Sequence, residues 1–66
     1  MGTLIVNGKE TECEVGTLAT LLEHLKVNAA TVVAEVEGRI VERDKFAVTE
    51  LADGQKIELI RFVPGG

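Results

Sequence analysis

Apolar and polar residues alternate with period two at the start of the chain, which predicts a β-hairpin. Residues 3–6 are β-branched or apolar, and Asn7-Gly8 follows them. Asn-Gly between two such runs is typical of a type I′ turn, because both residues tolerate positive φ. In the return run, residues 9–15, Thr11, Cys13 and Val15 alternate with glutamates. This pattern predicts a half-buried strand with an acidic outer side.

The hydrophobic period then changes to that of a short helix. The apolar positions form one helical stripe at i, i+3, i+4 and i+7: Leu18, Leu21, Leu22 and Leu25. Thr17 is a suitable N-cap, and we expect Asn28 at the exit. A helix of about ten residues is marginal in isolation, so it is expected to pack on a sheet.

The second half of the chain is again strand-like. Residues 31–36 and 39–41 are separated by a turn at Glu37-Gly38, and Asp53-Gly54 marks a further tight turn. Residues 42–51 have no clear period. We expect their three largest apolar side chains to point inward: Phe46, Val48 and Leu51.

The last strand, residues 56–63, has two apolar faces. Ile57 and Leu59 lie on one face, and Ile60 and Phe62 lie with Glu58 on the other. A hairpin, a helix and then further strands predict an α+β fold of two layers. If the last strand lies beside the first, the arrangement is a β-grasp, or ubiquitin-like, fold with a mixed sheet of four to five strands on one main helix. We expect a single domain over residues 1–63 and a flexible C-terminal tail over residues 64–66.

Composition narrows the classes of function. The chain has 66 residues and a net charge of −4, with 11 acidic and 7 basic residues. Nucleic-acid binding is disfavoured, because it needs clustered basic residues or aromatic platforms, and Phe46 and Phe62 are the only aromatic residues. A domain this small has little room for a deep cleft, so partner binding is favoured over a pocket enzyme.

The sequence gives little support for a metal site, a disulfide bond or a membrane-spanning segment. Cys13 has no second cysteine to pair with, and its alternation with Val15 predicts a buried small hydrophobe. His24 has no second ligand at metal-binding spacing, so no metal site is predicted. No apolar run approaches the roughly 20 residues of a membrane span, and no signal peptide is recognised. We therefore expect a cytoplasmic protein.

The Gly65-Gly66 end carries the clearest chemical signal. Glycine has no Cβ, so a Gly-Gly arm fits a narrow channel. The α-carboxylate of Gly66, ionised at neutral pH, is a poor electrophile that becomes an acyl donor once it is activated. The alternative is an ordinary frayed terminus.

Several short pieces along the chain also match a known family. They are Asn7-Gly8, Gly16-Thr17-Leu18 with Leu21-Leu22, residues 33–41 with Arg43, Asp53-Gly54, Ile57-Glu58-Leu59, Arg61-Phe62-Val63 and Gly65-Gly66. In this combination and order the chain resembles the ThiS family, the sulfur carrier proteins of thiamine thiazole biosynthesis, over essentially its whole length. Pro64 departs from the pattern, since such proteins often have Gly or Ala there.

The resemblance implies a carrier and not an enzyme. An E1-like adenylyltransferase would adenylate Gly66 with ATP and Mg²⁺. A sulfur donor, either a cysteine desulfurase or a persulfide protein, would then convert it to a thiocarboxylate for thiazole synthase. Gly65 and Pro64 would enter the partner's active site. This chain has no phosphate-binding glycine motif, so we expect it to bind no cofactor and the partner to hold the ATP.

A docking surface is expected on the sheet face that points away from the helix. If Ile57 and Leu59 face the helix, Ile60 and Phe62 face outward, and we place Ile5 and Val33 beside them. An exposed apolar patch of this kind indicates a partner site. Burial in a second small core or in a dimer is the alternative.

Other functions share these features. The same tail chemistry serves sulfur carriers for molybdopterin or tungsten cofactor and for cysteine synthesis. A ubiquitin-like modifier would instead form isopeptide adducts through Gly66. A plain interaction module would function unchanged without Gly66.

Overall fold

The order of elements and the strand pairing give a β-grasp fold. The computed structural model describes residues 1–62. These form β1 (Gly2–Val6), β2 (Lys9–Cys13), α1 (Leu18–Leu25), β3 (Val32–Val36), β4 (Arg39–Val41) and β5 (Lys56–Arg61). Their one sheet has the strand order β2-β1-β5-β3-β4. Only β1 and β5 pair in parallel, so the sheet is mixed. The predicted α+β fold class, a sheet of four to five strands on one main helix, is confirmed.

Both hairpins of the sheet close through left-handed turn residues. Asn7 and Gly8 have φ of 50° and 82°, as a type I′ turn requires, and Val6 pairs directly with Lys9. Glu37 and Gly38 repeat this geometry with φ of 51° and 81°. The turns predicted at Asn7-Gly8 and Glu37-Gly38 are therefore confirmed.

Helix α1 is short and capped at both ends. The Thr17 hydroxyl accepts a hydrogen bond from the Thr20 N–H at 3.2 Å, which confirms the predicted N-cap. At the exit, Lys26 adopts φ of 58°. The N–H of Val27 donates to the Leu22 carbonyl at 2.9 Å, and the N–H of Lys26 donates to the Glu23 carbonyl at 3.1 Å. These bonds form a Schellman motif. Asn28 does not end the helix as expected. It caps the 3-10 helix Ala29–Thr31 through the Ala30 N–H.

The hydrophobic core lies between α1 and one face of the sheet. Its largest fully buried side chains are Leu4, Leu18, Leu22 and Ile57. Each contributes about 1.5–3 kcal/mol by leaving water. Cys13 is buried among them, as predicted.

The segment between β4 and β5 is irregular, and one prediction there was wrong. Phe46 and Leu51 are buried as expected, but Val48 is 69% exposed. The backbone carbonyls of Phe46 and Thr49 accept hydrogen bonds from the N–H groups of Ala19 and Leu18. Val48 lies in the turn between these two anchors, so its side chain points to solvent.

Candidate functional site

Strand β5, the last strand before the tail in the sequence, is the central strand of the sheet. It lies between β1 and β3, and the Phe62 N–H donates to the Thr31 carbonyl at 3.0 Å. The chain therefore reaches Phe62 along a strand that pairs with β1 at its start and with β3 over nearly its whole length. Pro64, Gly65 and Gly66, the predicted tail and modified residue, lie outside the described residues.

The sheet face opposite α1, here called the open face, brings three predicted docking residues together. Val33 pairs directly with Ile60 across β3 and β5, and Phe62 follows two positions later on the same face. All three side chains are exposed. With Ile40 they form the open-face patch: Val33, Ile40, Ile60 and Phe62.

Ile40 is the member of this patch that sequence reasoning missed. It pairs with Glu35 on the open face and is 69% exposed. Ile40, Val33 and Phe62 line one side of a depression of about 340 Å³, whose other side includes Arg43 and Phe46. The signal was present, because Ile40 is the outward position of Arg39–Val41. Three residues are too few for a period-two pattern to be recognised without knowing how the strand pairs.

Ile5 lies on the same face but is not contiguous with the patch. It pairs with Lys56, four positions before Ile60 on β5. At a rise of about 3.3 Å per residue, this separation is roughly 13 Å. Ile5 is also half-buried, with Glu10 opposite it on β2. The structure thus separates Ile5 from the other three predicted docking residues.

Two glutamates lie between Ile5, with the exposed Lys56 opposite it, and the patch. Glu35 and Glu58 face each other directly across β3 and β5. These two glutamates form what we call the acidic strip. Like charges directly opposite one another destabilise an antiparallel pair, so folding alone does not favour this arrangement. Along β5, the open face therefore changes from the acidic strip at Glu58 to the apolar patch at Ile60 and Phe62.

Asn7 stabilises β5 beyond the point where β1 turns away. Its side-chain Oδ1 accepts from the Leu59 N–H at 2.8 Å, and its Nδ2 donates to the Leu59 carbonyl at 3.2 Å. The side-chain amide of Asn7 thus makes the two hydrogen bonds to Leu59 that a further residue of β1 would make. Asn7 was predicted only as a turn residue, and this second role requires knowing that β1 and β5 are neighbours.

Over residues 1–62, no group of three or more His, Cys, Asp or Glu side chains is arranged to hold a metal ion. His24 is exposed on α1. No helix in this part of the chain is long and apolar enough to cross a membrane.

Comparison with known proteins identifies the family. A family model described as the ThiS family matches residues 4–66. The chain belongs to the ThiS family. The crystal structure of a thiamine biosynthesis protein, ThiS, from Geobacter metallireducens is similar, with 35% identity and a TM-score of 0.83, over 97% of this chain and 99% of that one. A solution structure of a thiamine biosynthesis protein from that organism has 37% identity and a TM-score of 0.77, over 97% and 87% of the two chains.

A longer relative shares the same domain. A protein named thiazole synthase, from Paramagnetospirillum magneticum, is 33% identical over 64 residues. The match covers 96% of this chain but 20% of that protein, so the chain spans about one fifth of its relative's length. The family membership and these likenesses support a sulfur-carrier role in thiamine biosynthesis.

Proposed function

We propose that this chain carries sulfur for thiazole formation as a thiocarboxylate on Gly66. The observation that supports the proposal most directly is that the family match extends through residue 66, so the Gly-Gly segment belongs to the shared sequence. In this role the chain is a protein substrate that is consumed and regenerated, and it is not an enzyme.

The proposed cycle begins with activation of a poor electrophile. A carboxylate oxygen of Gly66 attacks the α-phosphate of ATP, and pyrophosphate leaves. An E1-like adenylyltransferase holds the ATP and Mg²⁺. A persulfide sulfur, from a cysteine desulfurase or a persulfide protein, then displaces AMP at the acyl carbon. Reduction of the resulting acyl disulfide by a thiol leaves the thiocarboxylate. We place this chemistry in the cytoplasm, where thiols are kept reduced.

Gly65 and Pro64 are proposed to thread the tail into the partner. Residues 63–66, when extended, reach roughly 13 Å, which places the Gly66 carboxylate inside a partner while the fold stays outside. Gly65 passes a slot too narrow for a side chain. Pro64 limits the backbone at the start of the arm, because its φ is fixed.

The open face is proposed to dock the activating enzyme. The open-face patch of Val33, Ile40, Ile60 and Phe62 includes the residue two positions before Pro64 in the sequence and provides an apolar contact. The acidic strip selects a basic surface and accelerates encounter. We place Ile5 at the far end of the footprint, beyond the acidic strip.

The proposed acceptor of the sulfur is a thiazole synthase. The likeness of this chain to one fifth of a protein with that name supports the assignment. Because one tail cannot occupy two active sites, the carrier would visit the activating enzyme and the synthase in turn.

The test is the intact mass of the chain after incubation in its host's extract with ATP, Mg²⁺ and cysteine. We expect a gain equal to one oxygen replaced by sulfur, localised to Gly66. A variant extended by one alanine after Gly66 should not gain this mass, whereas Glu14→Gln, an exposed position beside Gly2 at the opposite end of the sheet from Phe62, should. An unchanged wild-type mass, under conditions that convert a known carrier, would contradict the proposal. Larger isopeptide conjugates would indicate a protein modifier.

A further inference from the structure

Strand β5 has one edge that is only partly paired. On the β3 side it is bonded as far as Phe62. On the β1 side, the Asn7 N–H donates to the Ile57 carbonyl at 2.9 Å, and the Asn7 side chain bonds both backbone groups of Leu59. Beyond Leu59, β1 has turned away into its hairpin.

Arg61 is the next residue whose backbone points to this edge. Successive residues of a strand present their N–H and C=O groups to opposite sides, and Ile57 and Leu59 present theirs toward β1. Arg61 therefore does the same, and its pairing with Val32 is of the non-hydrogen-bonded kind. Within residues 1–62 no group bonds the N–H or C=O of Arg61. Because Asn7 already bonds Leu59, the open edge within residues 1–62 is the N–H and C=O of Arg61, which can pair with one residue of an added segment.

A groove lies beside this edge on the helix side of the sheet. Its volume is about 470 Å³, and its apolar lining comes from β1, the end of α1 and β5: Val6, Leu25, Val27 and Leu59. Alternate side chains of a strand point to one face. A segment paired at Arg61 can therefore direct the side chains on its helix-side face toward this apolar groove.

The rim of the groove is basic, although the chain is acidic overall. Arg61 lines the groove, Lys9 pairs with Val6, and Lys26 follows Leu25. All three side chains are exposed, and Glu23 is the acidic residue one turn before Lys26. The occupant that fits this rim carries acidic side chains.

We infer that the β1-side edge of β5 at Arg61 is a strand-addition site for an extended segment of a partner protein with alternating apolar and acidic residues. The bound segment would lie along the open backbone groups, with apolar side chains in the groove and acids at the basic rim. This inference is independent of the thiocarboxylate chemistry, since it concerns binding alone.

The test is an NMR titration of the ¹⁵N-labelled whole chain with a blocked hexapeptide of alternating valine and aspartate. We expect saturable shifts at the amides of Arg61, Leu25 and Val27, with a Kd of about 1 mM or tighter. Hydrogen exchange at the Arg61 amide should slow at least about tenfold when the peptide binds. A peptide with lysine in place of aspartate should bind at least about tenfold more weakly.

Two substitutions of Arg61 distinguish the contribution of its backbone N–H to peptide binding from that of its side-chain charge. Arg61→Pro removes the open N–H. It removes no bond to β3, because the Arg61 N–H points to the opposite edge, and proline is tolerated where the N–H faces an open edge. Arg61→Ala removes the charge and keeps the N–H. We expect Arg61→Ala to weaken binding and Arg61→Pro to abolish it, while the Phe62 amide stays protected in both variants.

Three results would overturn the inference. They are no shift with several millimolar peptide, shifts confined to Val33 and Ile60 on the open face, and equal binding by the two Arg61 variants. Self-association of the chain through this edge, detected by sedimentation, would also contradict a partner segment as the occupant.

Discussion

The two faces of the sheet are built from the same strands but meet different demands. On β5, Ile57 is 1% exposed against α1, whereas Ile60, three residues later, is 52% exposed on the open face. The helix-side residues follow the rule that a sheet buries one apolar face. The open face keeps large apolar side chains in water, so its composition is explained better by binding than by folding.

The charges of the open face strengthen this contrast. Glu35 faces Glu58 directly, at a local cost in stability. Among the described residues, no buried polar or charged side chain interrupts the helix-side core. Local rules of stability are therefore broken on the face that we propose for docking and kept on the face that holds the fold.

The largest expected effect is on the core, and it tests the contrast along a single strand. Ile57→Ala should lower the free energy of unfolding by about 2–5 kcal/mol, because it leaves a cavity in a closed core. The matched Ile60→Ala should cost less than about 1 kcal/mol. Urea denaturation monitored by circular dichroism measures both. Equal losses would contradict the assignment of the two faces.

The next largest effect is on the affinity of the chain for the activating enzyme. Val33→Asp places a charge in the open-face patch and should weaken binding to the activating enzyme at least about tenfold. Val48→Asp is the matched control, since Val48 is exposed outside the patch. Circular dichroism should show that both variants are folded in the absence of urea. Titration calorimetry that finds equal losses of affinity would exclude a specific role for the patch.

A smaller effect on stability is expected at Asn7, whose side chain bonds the backbone of β5, the strand that contributes to both faces. Asn7→Ala should destabilise the fold by about 1–2 kcal/mol, because both backbone groups of Leu59 lose their partner. Asn7→Asp keeps an acceptor for the Leu59 N–H and should retain part of this stability. Hydrogen exchange at Leu59 should quicken more in the alanine variant, and unchanged exchange would show that β5 does not need this bond.

The smallest effect tests the acidic strip. Glu58→Gln should raise the free energy of unfolding by about 0.2–1 kcal/mol, because it removes a like-charge pair. It should also slow association with a basic partner at low salt. Glu14→Gln makes the same change in net charge outside the strip. Stopped-flow rates that are the same for the two variants would argue against electrostatic steering by this strip.

The regular part of the fold could be predicted because its signals are local. Asn7-Gly8 specifies its turn through positive φ, and the four leucines of α1 form a stripe with one period. The period-two alternation along β5 assigns Ile57 and Ile60 to opposite faces without any knowledge of the partner strands. Each signal depends on a few consecutive residues and on steric rules that hold in any fold.

The remaining features depend on residues that are far apart in the sequence. Val48 was wrongly placed because the turn around it is fixed by backbone bonds to α1. Ile40 lies in a strand too short to show its period. The distance between Ile5 and the patch follows from the register of β1 against β5. No local pattern encodes these tertiary relations.

The measurement that tests the central claim most directly uses the isoleucines as reporters of the two faces. The chain has four: Ile5, Ile40, Ile57 and Ile60. Their δ1-methyl NMR signals would be followed in the whole chain as the purified activating enzyme of its host is added. We predict that Ile40 and Ile60 shift or broaden while Ile57 keeps its position, and Ile5 shows whether the contact extends past the acidic strip. Perturbation of Ile57 with Ile40 and Ile60 unchanged, while Gly66 is still converted, would contradict docking through the open face.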